Sequence, residues 1–137
     1  MIDILQQIHN NTSGSAIIVG GVAKWLNGYL ETYNKKWIDV VIPSSSVEQI
    51  IPLGIKLDLE GGSSFPSPVI DQFIIRMDNG YRLDVFVQDE PTDFSIISGS
   101  NVQTPQADLD WHINLSGSIP NEYTHQKVVD RKALYNL

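Results

Sequence analysis

Two short apolar runs constrain this chain more than anything else in it. They are Trp37-Ile38-Asp39-Val40-Val41-Ile42 and Arg82-Leu83-Asp84-Val85-Phe86-Val87. Each reads as a β-strand, because β-branched and aromatic residues alternate across it with a period of two. In the first, Trp37, Asp39 and Val41 share one face while Ile38, Val40 and Ile42 share the other. In the second, Arg82, Asp84 and Phe86 oppose Leu83, Val85 and Val87. If the two strands are neighbours in one sheet, Asp39 and Asp84 point into one cleft.

The remaining elements follow from periodicity and punctuation. Apolar residues at 2, 4, 5 and 8 predict a first helix from Ile2 to about His9, followed by a turn over Asn10 to Ser15. Ser15 to Val19 reads as a short buried strand. Val22 to about Thr32 reads as a helix with Val22, Trp25, Leu26, Tyr29 and Leu30 along one side. Pro43 ends the first acidic strand, and Ser44, Ser45 and Ser46 offer an N-cap for a helix from Val47. Gly54 to Leu59 is expected as a strand and Gly61 to Pro68 as a loop. Asp78-Asn79-Gly80 between apolar runs signals a hairpin with positive φ at both central positions. After Pro91 the pattern is less regular, with Asn101 to Thr104 expected as a last edge strand. Thr104-Pro105-Gln106 opens a helix to about Leu115, with proline at its first position. Gly117 to Pro120 is a break. Asn121 to Leu137 closes the chain as a helix expected to pack through Val128, Val129, Leu134 and Leu137.

With 137 residues, no internal repeat and no dividing linker, the chain reads as a single domain over 1–137. The absence of cysteine excludes disulfides, thiolate metal sites and thiol nucleophiles. It also fits a reducing, cytoplasmic setting. No apolar stretch is long enough to span a bilayer, and Met1-Ile2-Asp3-Ile4-Leu5 lacks the basic start of a secretion signal. Formal net charge is -7, and the nine basic residues are scattered, which argues against a broad nucleic-acid surface.

The order of strand, glycine turn, helix and two acid-bearing strands has a chemical meaning. A carboxylate pair at Asp39 and Asp84 can hold Mg²⁺ through its oxygens, with a triphosphate completing the octahedron. Gly20 and Gly21 let the backbone approach that triphosphate closely. Phosphoryl-group chemistry needs mainly positioning and charge neutralisation. By contrast, His9, His112 and His125 have no zinc-ligand spacing. No serine sits in a nucleophile elbow, and Trp25, Trp111 and Tyr135 read as packing residues.

Gly20-Gly21 before a helix, then Ile38-Asp39-Val40-Val41, then Arg82-Leu83-Asp84-Val85-Phe86 resembles the nucleotidyltransferase fold of the DNA polymerase β superfamily. The look is that of the small stand-alone members in bacterial toxin–antitoxin and abortive-infection systems. Residues Val102 to Leu109 and Lys127 to Leu134 are similar to the family's later strand and closing helices, so the likeness covers roughly 15 to 137. It implies an α/β (α+β) domain: a mixed, strongly twisted sheet, helices on one side, and further helices closing the C-terminal end. The family's metal motif is Asp-x-Asp or Asp-x-Glu, then a third acid on a later strand. The resemblance matches its second acid to Asp39 and its third to Asp84, but the first falls on Trp37. Indole cannot ligate a metal, and at that place it would occupy room meant for the ion. The other readings of Trp37 are a stacking surface for a base and ordinary core at a strand start. A lysine that the family often carries on the later helix is also missing, with His112 and Asn114 there instead.

Two functions follow as expectations. One is a non-catalytic protein on this scaffold, acting through a protein partner or a homo-oligomer as an assembly, regulatory or structural component, a virion role included. The other is an active enzyme moving a nucleoside monophosphate from a triphosphate to a protein, RNA or small-molecule hydroxyl. In that case Asp39 and Asp84 would hold Mg²⁺, and Gly20 and Gly21 would bind the triphosphate.

Overall fold

The computed structural model describes residues 1–137. The helices are α1 (Ile2–Asn11), α2 (Gly20–Leu26), α3 (Val47–Ile50), α4 (Pro105–Ser118) and α5 (Glu122–Tyr135). The strands are β1 (Ile17–Val19), β2 (Trp37–Ile42), β3 (Ile55–Asp58), β4 (Asp71–Arg76), β5 (Arg82–Val87), β6 (Phe94–Ile97) and β7 (Ser100–Gln103). All seven strands form one mixed sheet in the order β3-β4-β5-β2-β1-β7-β6. At its centre β2 and β5 run parallel, and Asp39 stands directly beside Asp84. β1 lies antiparallel on the other side of β2, with Val19 opposite Asp39.

Burial follows the alternation. Ile38, Val40 and Ile42 of β2 and Leu83, Val85 and Val87 of β5 are all buried, packed with Phe73 and Ile75 of β4. Onto this face fold Ile4, Leu5 and Ile8 of α1, Val22 and Ala23 of α2, and Ile50 of α3. The opposite face carries Asp39, Val41 and Phe86, and there α4 and α5 close over the sheet. Thr104 caps α4 by accepting from the Ala107 N–H at 3.2 Å, with Pro105 at the first position. Asn121 and Thr124 form a reciprocal capping box at the start of α5.

Several elements depart from the expected pattern, each for a local reason. α2 stops at Leu26, short of Thr32, because Gly28 adopts φ +86 and closes a Schellman turn. Its N–H donates to Trp25 O at 3.0 Å, and the Tyr29 N–H to Lys24 O at 2.9 Å. Tyr29 and Leu30 therefore leave the helix and are exposed. The hairpin turn has positive φ at Gly80 alone, not also at Asn79. Three loop residues with a final left-handed glycine make it a bulged turn. Ser46 makes no cap bond to α3; its hydroxyl pairs with Ser15 Oγ at 2.7 Å. The strand at 100–103 is interior, not an edge, because β6 lies outside it. Ser98 and Gly99, at φ +50 and +80, form the tight turn between the two.

Leu83 is wholly buried in the central strand pair. Leu83→Ala is expected to lower unfolding free energy by about 3 kcal/mol, through forfeited transfer energy and the cavity left behind. Urea unfolding followed by circular dichroism measures this.

Candidate functional site

The cleft lies between the polar face of the sheet and the pair α4–α5, with a volume of about 250 Å³. Val19, Gly20, Asp39, Val41 and Phe86 form its floor, and Asp108, Trp111, His112, Lys127 and Arg131 its roof. The parallel register brings Asp39 and Asp84 together, as their shared position in the two strands demands. Gly20 joins them. It holds φ +67, and a Cβ there would collide with Asp39 Oδ2. Only glycine fits a backbone pressed this closely against a carboxylate. Gly21 is close-packed as well, since a Cβ would meet the Tyr33 ring at 2.8 Å.

Electrostatics within the group are lopsided. Burial, then the charge of Asp84 and a hydrogen bond with it, push the Asp39 carboxyl up to about 7, while Arg82 pulls it down. Arg82 Nε donates to Asp84 Oδ1 at 3.0 Å. Its guanidinium also lies over the Trp37 ring, 5.1 Å from the centroid. Tyr33 donates its hydroxyl to Trp37 O at 2.6 Å. Burial pushes the Tyr33 phenol above its ordinary value, and so do the charges of Asp39 and Asp84.

Trp37 departs from the reading of it as core. It is 53% exposed, so it is not core. It is absent from the lining of the cleft, and so is Asp84, which leaves Asp39 as the one acid of the pair that faces it. It stands at the strand start as a platform for Arg82. The chain contains no cluster of three histidine, aspartate or glutamate side chains placed to hold a metal ion.

The opposite wall is not legible as a site from the sequence. α5 does not pack through Val129, Leu134 and Leu137, which are exposed. It buries Thr124, Arg131 and Tyr135 instead. Arg131 Nε and the Tyr135 hydroxyl both donate to Asp108 Oδ2, at 3.0 and 2.6 Å. His112 Nδ1 lies 2.9 Å from Asp108 O and 3.2 Å from Asp108 Oδ1. Burial opposes charge on Asp108, yet the bonds from His112 and Tyr135 and the Arg131 charge hold its carboxyl down to about 2. Burial and Asp108 push the Tyr135 phenol well above its ordinary value. Lys127 and Arg131 thus place cations at the cleft from α5, although α4 carries no lysine. The signal lies in helical spacing: Asp108 and His112 are i,i+4, as are Lys127, Arg131 and Tyr135. Trp111 does pack, against Phe65 and Phe86 on the cleft wall.

Among solved structures, the crystal structure of ANT(2")-Ia in complex with adenylyl-2"-tobramycin is similar to this chain. That protein is an aminoglycoside nucleotidyltransferase. The match has a TM-score of 0.52 at 14% sequence identity and covers 98% of each chain. The likeness shows the fold: a nucleotidyltransferase-like α/β domain. No protein-family model matches the chain, and no curated protein matches its sequence.

Two outcomes follow from the geometry. Gly20→Ala is expected to destabilise the fold by on the order of 2 kcal/mol, from strain at positive φ and the clash with Asp39. The loss should shrink in an Asp39→Ala background, which a double-mutant cycle of denaturation curves measures. Asp39 keeps its proton in the folded chain between its ordinary 3.8 and about 7, where the unfolded chain has released it. The native state therefore binds more protons there, and stability contributed by Asp39 falls as pH rises through that window. Asp39→Asn should flatten this slope in urea titrations run at stepped pH.

Proposed function

We propose that this chain is a nucleotidyltransferase-fold protein without nucleotidyl-transfer activity, acting through what it binds. The observation that carries this is the ion pair of Arg82 with Asp84 at 3.0 Å. Two-metal transfer needs several carboxylates free to clamp both ions. Here one of the two carboxylates is already held by a guanidinium. The other, Asp39, is buried beside that pair and binds a proton more readily than an ordinary carboxylate. The position aligned with the first acid is Trp37, whose ring supports Arg82.

The donor set therefore does not fit a pair of Mg²⁺ ions. Removing one ligand from such a clamp costs about 3 kcal/mol of transition-state stabilisation, roughly a hundredfold in rate. A role through protein contacts is supported by the edge strand β6, which exposes Phe94 and Ile96. Such an edge offers unpaired backbone groups to a partner protein or a second copy.

Calorimetry with ATP and GTP at millimolar concentration is expected to show no Mg²⁺-dependent binding, and labelled triphosphates no transfer to protein, RNA or small hydroxyl acceptors. Mg²⁺-dependent binding or transfer by the native chain would overturn the proposal. The double variant Trp37→Asp with Arg82→Ala is expected to gain Mg²⁺-dependent triphosphate binding. Trp37 is half-exposed, so the variant should retain the fold.

A further inference from the structure

The cleft contains more chemistry than Asp39, its one lining residue from the carboxylate pair, employs. Beyond Asp84 on the same face of β5 comes Phe86, and its ring meets Phe65 from the loop between β3 and β4 at 5.2 Å, edge to face. Phe65 and Trp111 of α4 lie 5.0 Å apart, and Phe86 and Trp111 6.2 Å. All three are only part-buried and line the cleft. Aromatic rings are the largest apolar side chains, and a concave wall of three left open to solvent is the usual form of a small-molecule site.

The polar groups around this wall are unequal. Arg131 is committed to Asp108, but Lys127 has no carboxylate within 4.0 Å. Its Nζ rests 5.0 Å from the centre of the Tyr123 ring, and both residues line the cleft. It is a cation without an ion-pair partner, resting on an aromatic ring. Gln88, next along the face of β5, is 6% exposed and lines the cleft. Its Nε2 donates to Glu90 O at 2.8 Å, which fixes the amide orientation and leaves Oε1 without a partner. An unpaired buried acceptor is costly, and a donor on a ligand, or a water carried in with it, would satisfy it.

We infer that this end of the cleft is a metal-independent binding site for a planar aromatic ligand carrying an anionic group. Phe65, Phe86 and Trp111 cover the ring, and Lys127 meets the charge. A cleft of about 250 Å³ suits one ring system with its substituent rather than a protein segment. Binding without a metal rests on the proposed silence of Asp39 and Asp84; the aromatic wall and Lys127 are independent of it.

The test uses calorimetry on the full chain in EDTA, with adenosine 5′-monophosphate as probe and adenosine and ribose 5-phosphate as its two halves. The monophosphate is expected to bind, each half at least tenfold more weakly. Trp111→Ala should weaken the monophosphate and adenosine about tenfold or more, leaving ribose 5-phosphate unchanged. Lys127→Ala should weaken the monophosphate and ribose 5-phosphate, leaving adenosine unchanged. Phe65→Ala, in a loop, should repeat the Trp111 pattern where that variant fails to fold. No binding with or without Mg²⁺, or binding indifferent to these substitutions, overturns this inference and leaves the silent-enzyme proposal standing. Binding that appears only when Mg²⁺ is added overturns both.

Discussion

The parallel pairing of β2 with β5 is the constraint on which everything else rests. Six consecutive residue pairs stand in register, from Trp37 with Arg82 to Ile42 with Val87. One face of the pair supplies six buried aliphatic side chains to the core under α1, α2 and α3. A slip of one residue in either strand would turn its three core side chains to the cleft face and its aspartate inward. The apolar face thus holds the acids together, although two adjacent carboxylates repel. The chain answers that repulsion from within: Arg82 neutralises Asp84, and Asp39 takes up a proton more readily.

A second organising feature joins α4 and α5 to each other by polar means. Asp108 is buried and ionised, and three side chains converge on it: Arg131, Tyr135 and His112. A buried carboxylate is tolerated only when such partners replace its water. Around this knot the helices place Lys127, Trp111 and His112 along one side of the cleft. The site is therefore bounded by two unlike surfaces, an aliphatic-backed sheet and a charge-linked helix pair.

What the amino-acid sequence discloses depends on burial contrast. β4 and β5 bury alternate residues, and β2 does so except that Val41 is buried as well, so their facing sides are readable and the meeting of Asp39 with Asp84 follows from shared phase. β6 buries nothing fully, and so carries no period to detect; its turn residues, Ser98 and Gly99, are the only marker. In α2 the apolar spacing runs past Gly28, and the left-handed glycine ends the helix regardless. In α5 the buried stripe is polar, so a search for aliphatic spacing chooses the exposed side. For Trp37 the sequence offers side-chain chemistry alone. Its neighbour across the strands, Arg82, determines where the ring lies, and no local pattern encodes that.

The Asp108 knot also sets the order in which the molecule comes apart. The sheet and its first three helices cohere through aliphatic contact, which acid leaves intact. The two helices are joined to each other through one carboxylate held down to about 2, so strong acid removes that link's charge without touching the aliphatic layer. Arg131 would then remain buried opposite a neutral acid, and α4 and α5 would loosen from one another before the sheet gives way. The roof of the cleft is in this sense a charge-stitched seam on a sturdier base.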